Sequence, residues 1–151
     1  MFDKAGTLAL GCDHGGYALK EFLKIKLAEK GYSVRDFGTY STDSMDYPDI
    51  AHPIAAAVET GQFQMAILIC GSGNGICMTA NKHTGIRAAL CWNSELAALA
   101  RQHNNANILC LPGRFISEKE GLSAAITFLT AEFEGGRHQT RIEKIPLTTT
   151  E

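Results

Sequence analysis

The chain has 151 residues, of which 45% are hydrophobic and 20% charged, a globular balance that excludes intrinsic disorder as the main state. Lys and Arg number 14 against 16 Asp and Glu, a formal net charge of −2, so nothing in the charge marks a nucleic-acid or anionic-membrane binder. The length fits one domain, residues 1–151, with a core over about 7–133 and a distinct C-terminal segment over about 135–147. Clean apolar runs such as Met65–Cys70 are far too short to span a bilayer. The N-terminal Met1–Gly6 stretch lacks the charged-then-apolar layout of a signal peptide. The five cysteines, at 12, 70, 77, 91 and 110, are odd in number and include no CxxC pair. That argues against a disulfide framework or structural zinc and points to a reducing cytoplasm.

In chain order, Thr7–Cys12 reads as a short apolar strand, followed by Asp13-His14-Gly15-Gly16. Leu19, Phe22, Leu23 and Leu27 then recur at helical spacing, and Gly31 ends that helix. Tyr32–Phe37 reads as a second strand, Gly38–Asp49 as a polar loop and Ile50–Thr60 as a helix. Met65–Cys70 is the third strand, followed by Gly71-Ser72-Gly73-Asn74-Gly75 and a helix to about Lys82. Ile86–Cys91 is the fourth strand. The next helix spans Ser94–His103, with Ser94 expected as its cap and Leu96, Leu99 and Ala100 as its inner face. Ile108–Leu111 is the fifth strand. A helix opened by Ser117, with Glu118 and Glu120 in its first turn, runs to Phe133. Nearly all-apolar strands alternating with helices predict a parallel α/β sheet covered on both faces. The only low-complexity stretch is the Thr148-Thr149-Thr150 tail. Gly135–Ile145 is polar apart from Ile142 and Ile145. It is expected to add little to the core, and either to fray or to dock on a second copy of the chain.

Ligands of parallel α/β sheets sit beyond the carboxyl ends of the strands. The 71–75 loop places three glycines where a strand meets a helix, a geometry that aims backbone N–H groups at an anion. It matches neither a dinucleotide fingerprint nor a P-loop, and it can also be read as a plain tight turn. Cys70 ends the strand before it. There the helix N-terminus would favour thiolate, as nucleophile or base, although a buried Cys is often a small hydrophobe. Asp13 and His14 close the first strand and suit sugar hydroxyls or proton transfer, with helix capping by Asp13 as the alternative. His103 either does chemistry or complements a helix C-terminus. No pair among His14, His52, His83 and His103 has a metal-ligand spacing, so no metal site is expected. No cofactor motif is present.

Gly11-Cys12-Asp13-His14-Gly15-Gly16, Asp46-Tyr47-Pro48, Cys70–Gly75, Ala80-Asn81-Lys82, Gly85-Ile86-Arg87-Ala88, Arg101-Gln102-His103-Asn104 and Gly135-Gly136-Arg137-His138 occur in that order. Together, over about Thr7–Ile145, they closely resemble the type B ribose-5-phosphate isomerases, in the family shared with galactose-6-phosphate isomerase subunits. The resemblance implies a Rossmann-like three-layer α/β/α sandwich with a five-stranded parallel sheet. It also implies a homodimer or tetramer of dimers, with the active site at the subunit interface and the C-terminal segment docked on the partner. The implied reaction is metal-independent and cofactor-free interconversion of ribose 5-phosphate and ribulose 5-phosphate. By position, Cys70 matches the proton-transferring base, His103 the ring-opening group, and Gly71, Ser72, Gly73, Asn74 and Gly75 the anion hole. Asp13, His14 and Asn104 match sugar contacts. Arg114, Arg137 and Arg141 match phosphate ligands, the last two typically reaching across from the partner subunit. Family members without the cysteine carry a Glu just after the loop; here Ile76 stands there and Cys70 is present. An isomerase of allose 6-phosphate or galactose 6-phosphate, or a non-catalytic sugar-phosphate-binding module, are the alternatives.

Overall fold

The computed structural model describes residues 1–147; the Thr148-Thr149-Thr150 run lies outside them. Five parallel strands form one sheet: β1 (Thr7–Cys12), β2 (Ser33–Asp36), β3 (Ala66–Cys70), β4 (Ala88–Leu90) and β5 (Ile108–Pro112). Their spatial order is β2-β1-β3-β5-β4. The chain winds outward from β1 to β2 and then returns to place β3 on the other side of β1. The switch point therefore falls between β1 and β3, where Cys12 pairs with Ile69.

Among the described residues, six α-helices connect and cover the strands: α1 (Tyr17–Glu29), α2 (Pro48–Glu59), α3 (Asn74–Ala80), α4 (Ser94–Gln102), α5 (Glu118–Thr130) and α6 (Arg137–Ile142). Side chains along a strand alternate between the two faces, so each central strand supplies two cores. Leu8, Leu10, Ile67, Ile69, Leu109 and Leu111 pack with Leu23, Leu27, Ala97, Ala124 and Phe128 on the side of α1, α4 and α5. Ala9, Leu68, Ile108 and Cys110 pack with Ile54, Val58, Ile76 and Ala80 on the side of α2 and α3. Burial on both faces explains why β1, β3 and β5 read as continuous apolar runs. Among the described residues, no helix is long and apolar enough to cross a membrane.

The structure departs from the sequence reading in local ways. β2 is polar, Ser-Val-Arg-Asp, and its Ser33 and Arg35 are exposed, because it is an edge strand. α4 is capped by Asn93, whose side-chain oxygen accepts the Leu96 N–H at 2.9 Å, not by Ser94. Its buried face is Ala97, Ala100 and Arg101, whereas Leu99 is exposed. Ser117 opens α5 as expected, and with Glu120 it forms a capping box; the helix ends at Thr130 rather than Phe133. In the C-terminal segment α6 forms and buries His138 and Ile142.

One ammonium group lies fully inside the fold. Lys20 on α1 is fully buried, and its Nζ donates to both Asp36 oxygens, at 2.8 and 2.7 Å. Glu21 at 2.8 Å completes the pairing, and Lys24 also reaches Asp36. Asp36 in turn accepts the Gly38 N–H at 2.8 Å, which ties the end of β2 to the following loop. Partial burial pushes the Asp36 carboxyl up, but the hydrogen bonds from Lys20, Lys24 and Gly38 outweigh it and hold it below the ordinary range. Removing one partner of a buried pair strands the other charge, so Lys20→Met is expected to cost about 3–5 kcal/mol in chemical denaturation. The depressed carboxyl contributes stability above its unfolded value, about pH 4, and loses it as pH falls through the folded value. Asp36→Asn should therefore flatten the acid limb of a stability–pH curve below about pH 4; an unchanged limb would contradict this assignment.

Candidate active site

Three turns at the carboxyl edge of the sheet come together so tightly that side chains are excluded. A Cβ on Gly15, after β1, would lie 2.8 Å from the Gly71 backbone nitrogen, after β3. A Cβ on Gly113, after β5, would lie 3.0 Å from the Gly15 carbonyl oxygen. The Gly113 N–H donates to the Cys70 carbonyl at 2.8 Å and the Arg114 N–H to that of Gly71 at 3.0 Å. This close approach gathers Asp13, His14, Cys70, the 71–75 loop and Arg114 into one cluster.

Cys70 is buried at the last position of β3. Its Sγ accepts the Gly73 N–H at 3.1 Å. Gly73 holds that amide in place with φ at +76°, which favours glycine, and a Cβ there would crowd the Leu90 side chain and the Leu111–Pro112 backbone at 3.2 Å. The N–H contact strengthens as negative charge develops on sulfur. Burial pushes the Cys12 and Cys91 thiols each up to about 12. Burial also pushes the Cys110 thiol well up. Cys77 donates its thiol to the Ala88 carbonyl at 3.4 Å.

Asp13 is buried and caps the short turn His14–Gly16, accepting the Gly15 N–H at 2.8 Å. His14 Nδ1 accepts the Met45 N–H at 3.2 Å, so its proton sits on Nε2 in the neutral ring. Arg114 is exposed, and its guanidinium borders Gly71, where a Cβ would stand 3.4 Å from Nη1. Ser72 and Asn74 are exposed on the outer side of the loop. They open onto a cleft of about 590 Å³ walled by Leu90, Trp92, Pro112 and Phe115.

The remaining candidates are elsewhere. α4 runs back against the strand direction, so His103, at its C-terminus, and Asn104 lie at the amino edge of the sheet, just before β5. Five residues of β3 separate that edge from Cys70, roughly 13 Å along the strand. Arg87 Nε donates to the carbonyls of Asn104 and Asn105, at 3.0 and 3.2 Å. Buried Arg101 donates from Nη1 to Asn105 Oδ1 at 2.8 Å and to the Ala106 carbonyl at 2.6 Å. These two arginines fix the 104–106 turn, in which Asn105 has φ +45°. The His138 ring on α6 stacks on His103, which puts Arg137 and Arg141 beside this second cluster, both exposed. Arg137 and Arg141 are four apart on one helix face. The structure thus brings the sequence candidates together as two groups at opposite edges of the sheet.

Sequence reasoning missed several neighbours. Tyr47 lies over the glycine loop, where a Cβ on Gly75 would be 2.5 Å from its ring; its signal was its place in the Asp46-Tyr47-Pro48 motif. Arg87 beneath Asn104 and His138 at His103 likewise stood in such motifs, whereas Glu134 becomes visible only when the chain folds back.

The profile of the Ribose/Galactose Isomerase family matches residues 8–145. Ribose-5-phosphate isomerase B of Escherichia coli is 44% identical over 138 residues, 91% of this chain and 93% of that protein. The structure of Clostridium thermocellum ribose-5-phosphate isomerase B superposes with a TM-score of 0.90 at 48% identity, covering 92% of this chain and 94% of that one. That of the Mycoplasma genitalium enzyme with bound ribulose 5-phosphate gives 0.88 at 45% identity, covering 92% and 93%. Matched along nearly its whole length in both sequence and fold, the chain belongs to the ribose/galactose isomerase family.

Proposed function

We propose that the protein interconverts ribose 5-phosphate and ribulose 5-phosphate, with Cys70 as the base that moves a proton between C2 and C1. The observation that carries this reading is the Cys70 Sγ held 3.1 Å from the Gly73 N–H. Isomerisation removes a proton from C2 of the open-chain aldose, leaves an enediolate, shifts the hydroxyl proton from O2 to O1, and returns a proton to C1. The thiolate supplies the base. Amides of the Gly71, Ser72, Gly73, Asn74 and Gly75 loop supply the dipoles that offset charge on the enediolate oxygens. C1 is reduced as C2 is oxidised within one molecule, so no redox cofactor is called for.

The sugar must be open before that step. His103 takes the ring-opening role, with Asn104 on the sugar from the same side and Asp13 and His14 from the Cys70 side. Arg114, Arg137 and Arg141 bind the phosphate, a dianion that suits several forked guanidinium donors. Because the His103 and Cys70 groups occupy opposite edges of one sheet, a complete site takes the Cys70 group from one subunit and the His103 group, with Arg137 and Arg141, from a partner. A homodimer, or a tetramer of dimers, with the C-terminal segment at the interface meets that need. Five free thiols fit a cytoplasmic setting.

The purified protein is expected to turn over ribose 5-phosphate with a chelator present, and faster than allose 6-phosphate or galactose 6-phosphate. Silence on all three would contradict the isomerase reading, and a hexose preference would move the substrate assignment. Cys70→Ala should lower kcat by about 10²–10⁴-fold, the usual contribution of a positioned base, while retaining the fold by circular dichroism. Gly73→Ala should also lower kcat, by about 10²-fold, because its strained and crowded backbone can no longer aim the amide at Sγ. Normal turnover in either variant would remove Cys70 or the loop from the chemistry.

A further inference from the structure

The ring proposed to open the sugar is itself held by two side chains. The His103 and His138 rings lie nearly parallel, 8° apart in plane and 4.2 Å between centroids. The Nε2 atoms of both face the same carboxylate oxygen, Glu134 Oε2, at 3.9 Å from His103 and 3.6 Å from His138. His138 is buried whereas His103 is part-exposed, so one ring is a fixed platform and the other a working surface. Glu134 is anchored by its backbone, its N–H donating to the Gln102 carbonyl at 3.0 Å, immediately before His103.

We propose that His138 and Glu134 are positioning residues for His103, fixing its ring plane and the direction of its Nε2 while the furanose opens. Opening breaks the C1–O4 bond: O4 gains a proton and the C1 hydroxyl loses one. A group that serves this step must accept and release a proton at a fixed place. A neutral aromatic face stacked on an imidazolium, with a carboxylate at its edge, stabilises the charge that appears as His103 takes a proton up. His138 suits the neutral role. Burial pushes its imidazole below the ordinary range, and His103, Arg137 and Arg141 push the same way against the opposing pull of Glu134.

This inference rests on the isomerase reading, and ribulose 5-phosphate separates the two. With O5 esterified, that ketose has no five-membered ring to open, yet its C1 proton still exchanges through the enediolate. Deuterium wash-in from D2O at C1 thus reports the Cys70 step alone, and net conversion of ribose 5-phosphate reports ring opening as well. His138→Ala is expected to lower kcat on ribose 5-phosphate by about 10- to 100-fold, the scale of a misplaced catalytic group. KM should change little, because the phosphate arginines remain, and C1 wash-in should stay within about twofold of the unsubstituted rate. His138→Phe, which keeps a stacking face, should recover most of the lost kcat. Glu134→Gln, at an exposed position that does not endanger folding, should show the same split to a smaller degree.

A parallel fall in wash-in and conversion, or a rise in KM with kcat unchanged, would overturn the proposal and make His138 a structural member of α6. Unchanged conversion in both Glu134→Gln and His138→Ala would overturn it as well. Absence of wash-in and conversion in the unsubstituted protein would remove the isomerase reading itself.

Discussion

A parallel sheet has a direction, and this chain cannot escape it. Every strand delivers its carboxyl end to one edge, and every connecting helix carries the chain back to the other. Cys70 ends β3 and His103 ends α4, so the sheet's polarity sends them to opposite edges. Local motion does not close a gap of roughly 13 Å through a hydrogen-bonded core. The proposed reaction draws on both groups and so calls for a site assembled between subunits, and the exposure of Arg137, Arg141 and Asn104 fits that proposal. On this account dimerisation is a condition of catalysis, beyond any effect on stability.

At the carboxyl edge the decisive constraint is space. The turns after β1, β3 and β5 approach until backbone meets backbone at Gly15, Gly71 and Gly113. That packing lets a buried thiol at the end of β3 sit among amide donors, with Arg114 close by. The Lys20–Asp36 pair supports the same edge from behind. Asp36 holds Gly38, the Gly38 carbonyl accepts the Cys12 N–H at 2.7 Å, and Cys12 directly precedes Asp13. A buried ion pair is weak evidence of net stability, but it fixes geometry where an apolar substitute would leave the loop free.

Much of this was legible in the sequence because its signals are local. β1, β3 and β5 announce themselves as apolar runs, the glycine loop by its spacing, and the α5 start by Ser117 and Glu120. β2 was harder to read as the edge strand it is, since an apolar-strand rule describes only strands covered on both faces. Asn93 and Ser94 both satisfy the chemistry of a cap, and only the fold decides between them. Leu99 looked like a core residue by period, but buried Arg101 on the same helix reaches the Asn105–Ala106 turn and lies over Phe128. The stack of His103 on His138 joins residues 35 apart, and no periodicity reveals such a contact. The division of the site between two edges was latent in the strand–helix alternation, because His103 ends a returning helix.

The measurement closest to the centre of this account is complementation between two inactive proteins, Cys70→Ala and His103→Ala. If each site draws Cys70 from one subunit and His103 from the other, a mixed dimer contains one doubly defective site and one intact site. Unfolding the two variants together and refolding them should return about a quarter of the unsubstituted activity, since random pairing makes about half of the dimers mixed and each of those has one working site of two. Recovery near that level, absent when either variant is refolded alone, is the predicted result. A mixture as inactive as its components, with mixed dimers demonstrably present, would place both residues in one subunit's site and contradict the account.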